Sequence, residues 1–231
     1  MDFELSPKAK DYVKRTKAFI QEHIEPMEAD FWADVNAKQN HGDWTKWEVP
    51  AIVDGLKAKD KAEGLWNMFL PDDEFGAGLS ILEYASVAEE TGRSLLAPTI
   101  FNCNAPDTGN MELLWRYGSK EQQAQWLTPL LEGDIRSVFC MTEPDVASSD
   151  ATNMAATAVV DGDYVILNGS KWWSSGIGDP HCKVAIFMAS TPDESKDRHH
   201  QHSMVLVPMD TPGVEIVRML SVFGVYDAPH G

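Results

Sequence analysis

Basic residues are scarce in this chain: 19 Lys and Arg stand against 36 Asp and Glu, a formal net charge of −17 over 231 residues. So acidic a surface repels phosphate backbones and anionic lipid headgroups, which makes nucleic acid a poor partner. A small phosphorylated ligand stays open, because backbone N–H groups and a few local cations can hold phosphate against an adverse net charge. Cysteine is nearly absent as well. Cys103, Cys140 and Cys182 are odd in number, widely spaced and outside any C-x-x-C pattern. That argues against a disulfide scaffold or a zinc site and fits a reducing compartment. No apolar run approaches the roughly 20 residues that span a bilayer. The start, Met1-Asp2-Phe3-Glu4-Leu5, lacks the basic and apolar regions of a signal peptide. The expectation is a soluble, cytoplasmic protein with no membrane span. Internal repeats and low-complexity tracts are missing too. What remains is ordinary globular composition, 43% hydrophobic and 24% charged, in a chain long enough for a real core.

The chain changes character near residue 135. Before it the pattern is helical. Ser6-Pro7 reads as a helix start, with serine as N-cap and proline in the first turn. Phe19, Ile20 and Ile24 follow at helical spacing before Pro26. A second run places Trp47, Ile52, Val53 and Leu56 at helical steps, and a third covers Ile81 to Thr91 and stops at Gly92. Ser119-Lys120-Glu121-Gln122 reads as a capping box that opens a helix ending at Gly133. After residue 135 the period becomes two. Ala158-Val159-Val160 and Tyr164 to Leu167 flank Asp161-Gly162, a strong hairpin signal. Further strand candidates are Val184 to Ala189, Met204 to Pro208 and Val214 to Val217. Helices first and strands second predict segregated units rather than alternating βαβ. The expectation is an α+β chain: an all-α domain over 1–134, then a β-barrel-like domain over 135–231.

Two segments carry the chemistry. Phe139-Cys140-Met141-Thr142-Glu143-Pro144-Asp145-Val146-Ala147-Ser148-Ser149-Asp150 is a strand running into a polar turn rich in hydroxyls and backbone donors. Such a turn can grip carbonyl or phosphate oxygens. Asn168-Gly169-Ser170-Lys171-Trp172-Trp173-Ser174-Ser175-Gly176 sets two indoles beside two hydroxyls. An indole face suits a flat heteroaromatic ring. On the residues alone, Trp172 and Trp173 could equally be one core and one surface side chain.

Both segments resemble signatures of the acyl-CoA dehydrogenase family, an aromatic followed by T-E-P-x-x-G/A-S-D and G-x-K-x-W-I-T-N-G. Three more stretches resemble the family in order: Phe3-x-Leu5-Ser6, Met68 to Ser80, and Tyr117 through Gly133. Ala147 in place of glycine, the extra Ser149, and Trp172-Trp173-Ser174-Ser175 resemble the branch of family members ten and eleven. The resemblance implies bound FAD and α,β-desaturation of an acyl-CoA, with the β-hydrogen leaving as hydride to flavin N5. It implies that Phe139, Met141 and Thr142 contact the flavin, and that Ser148 touches both cofactor and the thioester region of the substrate. Trp173 matches the tryptophan that shields the isoalloxazine, and Ser175 the hydroxyl near N5, with Ser174 beside them. Thr142 is the expected donor to the pyrimidine edge.

The family's catalytic base is a glutamate on a C-terminal helical bundle, expected beyond residue 231. Glu143 has no catalytic role in the resemblance. The expected partners are an acyl-CoA, an electron-transfer flavoprotein or similar acceptor, and further copies of the chain. An acyl-CoA oxidase of the same fold and a non-catalytic acyl-CoA or subunit-binding module are the alternatives. No metal site is expected. His199, His200 and His202 read as a solvated loop, Lys171 and Arg136 as solvated surface charges, Asp72-Asp73-Glu74 as an acidic turn, and Cys140 as strand packing.

Overall fold

The computed structural model describes residues 4–38, 43–193, 195–222 and 230–231. The reading placed on Phe3 lies outside the described residues. The chain forms two compact units divided after Gly133, with a short piece at Asp43–Thr45 grouping with the second.

The first unit is helical. Helix α1 (Pro7–Phe19) begins where expected: Ser6 Oγ accepts from the Ala9 N–H at 3.2 Å. It runs through a wide π-helical turn (Ile20–Ile24) and one tight turn carrying Pro26 into α2 (Glu28–Lys38). Helix α3 spans Ile52–Glu63 and α4 Ile81–Thr91. Trp47 lies outside α3, contrary to the helical reading. Pro50 explains the difference, because proline pushes the residue before it out of helical geometry. Short α5 (Ala97–Ile100) and α6 (Asp107–Tyr117) follow. The Ser119 capping box forms as expected: Ser119 Oγ accepts from Gln122 N–H at 3.2 Å, and Gln122 Oε1 accepts from Ser119 N–H at 2.8 Å. It opens a run of α7 (Lys120–Gln122), a π turn (Gln123–Leu127) and α8 (Thr128–Glu132), closed by Gly133 at φ +75°.

Phe19, Ile20, Ile24, Leu65, Met68, Leu79, Ile100 and Phe101 form the core of this unit, each almost fully buried. Each such side chain contributes on the order of 2 kcal/mol by leaving water. Two buried amides close the end of α8. Asn67 Nδ2 donates to Leu131 O at 2.9 Å, and Asn102 Nδ2 donates to Leu130 O at 3.0 Å and to Asn67 Oδ1 at 2.7 Å. Both asparagines hold the left-handed backbone that their short polar side chains tolerate.

The second unit is one mixed sheet. Its strands are β1 (Arg136–Cys140), β2 (Thr157–Asp161), β3 (Tyr164–Asn168), β4 (Cys182–Ser190) and β5 (His202–Pro208). The expected hairpin is β2–β3, with Gly162 at φ +60° supplying the left-handed turn residue. Strand β4 is the spine. It pairs with β1 in parallel, touches β2 in parallel at Thr157–Ser190, and pairs with β5 antiparallel over seven residue pairs. Two expectations are corrected here. The sheet is not closed into a barrel: among the described residues no ladder joins β3 or β5 to a further strand. And Val214 to Val217 carries no ladder pairing, although three of its four residues are apolar and β-branched, because it meets no strand edge among the described residues. Helices segregated from strands are as expected.

Candidate functional site

Alternation along β1 sorts its side chains. Val138 and Cys140 enter a small core with Cys182, Ala185 and Val207. Phe139 points to the other face, half-buried. Cys140 is packing, as expected, and burial pushes its thiol above the ordinary range.

Beyond Cys140 the two signature segments are stitched together by backbone and one ion pair. Trp172 N–H donates to Thr142 O at 3.0 Å. Lys171 Nζ donates to Met141 O at 2.9 Å and to Glu143 Oε1 at 2.8 Å. Glu143 also accepts the Ala155 and Ala156 N–H groups at 2.8 and 2.9 Å. Burial works against its charge, but Lys171 and the two amide donors outweigh that and hold the carboxyl below the ordinary range. With the Lys171 and Glu143 side chains only 5% and 4% exposed, Lys171 is a buried structural cation, not the solvated charge expected. Its ammonium also lies 5.0 Å from the Phe187 ring centre. Arg136 departs from expectation likewise: its side chain is 13% exposed, 3.9 Å from Asp179.

The turn itself is closed by Ser148, whose Oγ accepts the Glu143 N–H at 2.8 Å from a buried position. One lone pair of its oxygen thus serves the turn. Met141 is half-buried and Thr142 exposed.

Trp173 is the strained residue of the site. It sits at φ +53°, where a bulky side chain is a genuine outlier costing about 1–3 kcal/mol. The result is a ring left 47% exposed while the next residue, Ser174, is 2% exposed. The Trp172 and Trp173 rings lie 6.3 Å apart, tilted by 56°. Trp172 Nε1 and Ser174 Oγ are buried without a hydrogen bond of normal geometry among the described residues. Ser175 pairs with His230 across an isolated antiparallel bridge, His230 Nδ1 to Ser175 Oγ at 2.8 Å. His230 drew no notice in the sequence: a histidine fifty-five positions away has no local pattern to betray it.

A cavity of about 760 Å³ opens on the Cys140 face, lined by Trp172, Ile177, Phe187 and Met209 among others. Of the seven candidate residues only Ser174 lines it. The other six candidates are absent from its lining, among them the exposed Thr142 and Trp173 and the half-buried Ser175. In kind these groups fit a flat heteroaromatic cofactor: a half-exposed indole on a strained backbone, with the Thr142 and Ser175 hydroxyls in the same two segments. His199 and His200 are exposed and held by Asp197, as a loop reading expects, whereas His202 is not in the loop but opens β5, paired with Ser190. Asp72 Oδ1 accepts the Glu74 and Phe75 N–H groups, so the acidic turn is a local structure.

A helical unit, then a mixed sheet whose first strand runs into a T-E-P turn stapled to a tryptophan–serine segment, is the arrangement of the acyl-CoA dehydrogenase fold. The chain belongs to the acyl-CoA dehydrogenase family: residues 6–134 match that family's N-terminal domain and residues 138–231 its middle domain. It is 53% identical over 232 residues to acyl-CoA dehydrogenase family member 11 of Mus musculus, covering 99% of this chain and 29% of that protein. It is 52% identical to the probable acyl-CoA dehydrogenase FadE2 of Mycobacterium tuberculosis, covering all of this chain and 55% of that one. The chain thus spans about a third to a half of these relatives. Among solved structures, "a putative acyl-CoA dehydrogenase from Mycobacterium abscessus" superposes with a TM-score of 0.92 at 57% identity, over 99% of this chain and 57% of that one. A glutaryl-CoA dehydrogenase from Mycobacterium smegmatis in complex with FADH2 superposes with a TM-score of 0.68 at 26% identity, over 98% and 51%.

Proposed function

We propose that this chain carries the flavin-facing part of an FAD-dependent acyl-CoA dehydrogenase, which desaturates an acyl-CoA between its α and β carbons. The observation that carries the reading is Trp173, whose half-exposed ring sits on an unfavourable backbone two residues before Ser175, in a segment stapled to the T-E-P turn through Lys171 and Trp172. The FADH2-bound relative supports the choice of cofactor. FAD, when bound, supplies the acceptor for the β-hydrogen. Trp173 packs on its ring and excludes water. Thr142 donates a hydrogen bond to its polar edge, and Ser175 holds a hydroxyl at its reactive edge. Phe139, Met141 and Ser174 shape the remaining wall, and Ser148 faces the junction of cofactor and thioester. Glu143 is not assigned as the α-proton base, because its carboxylate is saturated by Lys171 and two amides; the base is assigned to no residue of this chain.

The partners in this reading are an acyl-CoA, an electron-transfer flavoprotein or similar acceptor, and further copies of the same chain, in a cytoplasmic setting. No helix among the described residues is long and apolar enough to cross a membrane. The test is an absorbance spectrum of the protein expressed from its full reading frame, before and after acyl-CoA is added. A flavin band that bleaches supports the dehydrogenase. Fast reoxidation of the bleached flavin by oxygen identifies an oxidase instead. A protein that takes up no FAD is a non-catalytic binding module, and the proposal falls.

A further inference from the structure

Ser175 is held by more than its place in the chain. Its backbone pairs with His230, Ser174 N–H donates to Gly231 O at 3.0 Å, and Leu220 N–H donates to His230 O at 2.7 Å. His230 and Gly231 are thus fixed from both sides. It is also tightly packed at its neighbour: a Cβ on Gly231 would lie 2.8 Å from Ile177 Cγ2 and from Met219 Cε, and 3.0 Å from Arg218 O. In this frame His230 Nδ1 reaches Ser175 Oγ at 2.8 Å. A hydroxyl has one hydrogen to donate and lone pairs to accept. If the imidazole accepts, it takes the Ser175 hydrogen away from any ligand. If Nδ1 carries the hydrogen and donates, the Ser175 O–H is released and polarised towards whatever faces it. We propose that His230 is a positioning residue that donates from Nδ1 to Ser175 Oγ and so directs the Ser175 hydroxyl to the reactive edge of the bound flavin. The inference rests on the reading of Ser175 as a cofactor-facing hydroxyl. Burial holds the imidazole below its ordinary range, which favours its neutral form.

The experiment uses the flavin-loaded protein from its full reading frame, with Ser175→Ala, His230→Ala, His230→Asn, His230→Gln and the double alanine variant. Asparagine can set an N–H donor near the Nδ1 position, whereas glutamine sets one near Nε2. The readouts are the flavin midpoint potential, its absorption maximum, and the His230 tautomer by nitrogen-detected NMR of the cofactor-free protein. Ser175→Ala and His230→Ala should shift the potential in the same direction by comparable amounts, and the double variant should shift it no further. His230→Asn should restore most of the shift and His230→Gln little of it. NMR should show hydrogen on Nδ1. A potential that moves with Ser175→Ala but not with His230→Ala overturns the inference, as does an Nε2–H tautomer. A potential and spectrum unmoved by Ser175→Ala, with Nδ1–H still present, overturn the reading of Ser175 itself, and the flavin-directed role of His230 with it.

Discussion

The Lys171 ammonium and the Glu143 carboxylate meet at 2.8 Å with both side chains almost wholly buried, and this contact joins the two signature segments. Taking two charges out of water is costly, and the pair is tolerable only because amide donors and the Met141 carbonyl complete its bonding.

Removing one partner strands the other. Lys171→Met should therefore destabilise the second unit by about 3–5 kcal/mol, the usual cost of an orphaned buried charge. Glu143→Gln, which keeps the shape, should cost a comparable amount. Denaturant melts should show that the double change costs less than the two single changes added together, as expected for directly coupled groups. The pair also has a pH signature. The Glu143 carboxyl titrates lower folded than unfolded, so its contribution is present above the ordinary carboxylate range and is lost as pH falls through the folded value.

Asp60 behaves in the opposite sense. Both its carboxylate oxygens are buried without a hydrogen-bond partner among the described residues, and burial pushes its pKa up to about 8. The folded state keeps a proton that the unfolded chain releases near pH 4. Stability from this group is therefore full below pH 4 and falls by about 1.4 kcal/mol per pH unit as pH rises towards 8. Asp60→Asn should flatten that slope, gaining most over the parent at pH 8 and little at pH 4. Chemical denaturation of the pair of proteins across that range measures the difference directly.

At Trp173 glycine should be preferred over alanine. In ordinary helices and strands the ranking is the reverse, but φ +53° penalises any Cβ. Trp173→Gly should be more stable than Trp173→Ala by about 1 kcal/mol, and both should bind FAD more weakly than the parent. Thermal melts and FAD titration read the two effects separately.

Asn102→Ala should destabilise the helical unit by about 1–3 kcal/mol, because it leaves Leu130 O and Asn67 Oδ1 without their donor in a dry interior. Asn102→Asp should be as damaging, since a carboxylate cannot donate to either oxygen. Both changes are read by denaturant unfolding.

Elements whose cause is local were legible from the residues. Ser6-Pro7, the Ser119 box and Asp161-Gly162 each act within four positions, and each forms where its chemistry places it. Trp47 was misplaced because apolar spacing was read across Pro50. The open sheet and the unpaired Val214–Val217 segment depend on which strand edges meet, and a period of two says nothing of that. The contacts that build the site are long-range in the same way. Lys171 reads as one more exposed cation until the fold brings Glu143 to it, and His230 acquires its meaning only across fifty-five residues.

The placement of β4 has a consequence for how the chain reaches its native state. Both signature segments lie within the stretch that connects β1 to its parallel partner β4, with the β2–β3 hairpin inside the same stretch. The hairpin closes a two-residue turn and can form in microseconds, whereas joining β1 to β4 must first close a loop of some forty residues. The turns that hold Thr142 and Trp173 meet across about thirty residues, so their contact is expected to form after the hairpin. A partly folded chain can therefore hold substantial helix and a formed hairpin while its two signature segments are still apart.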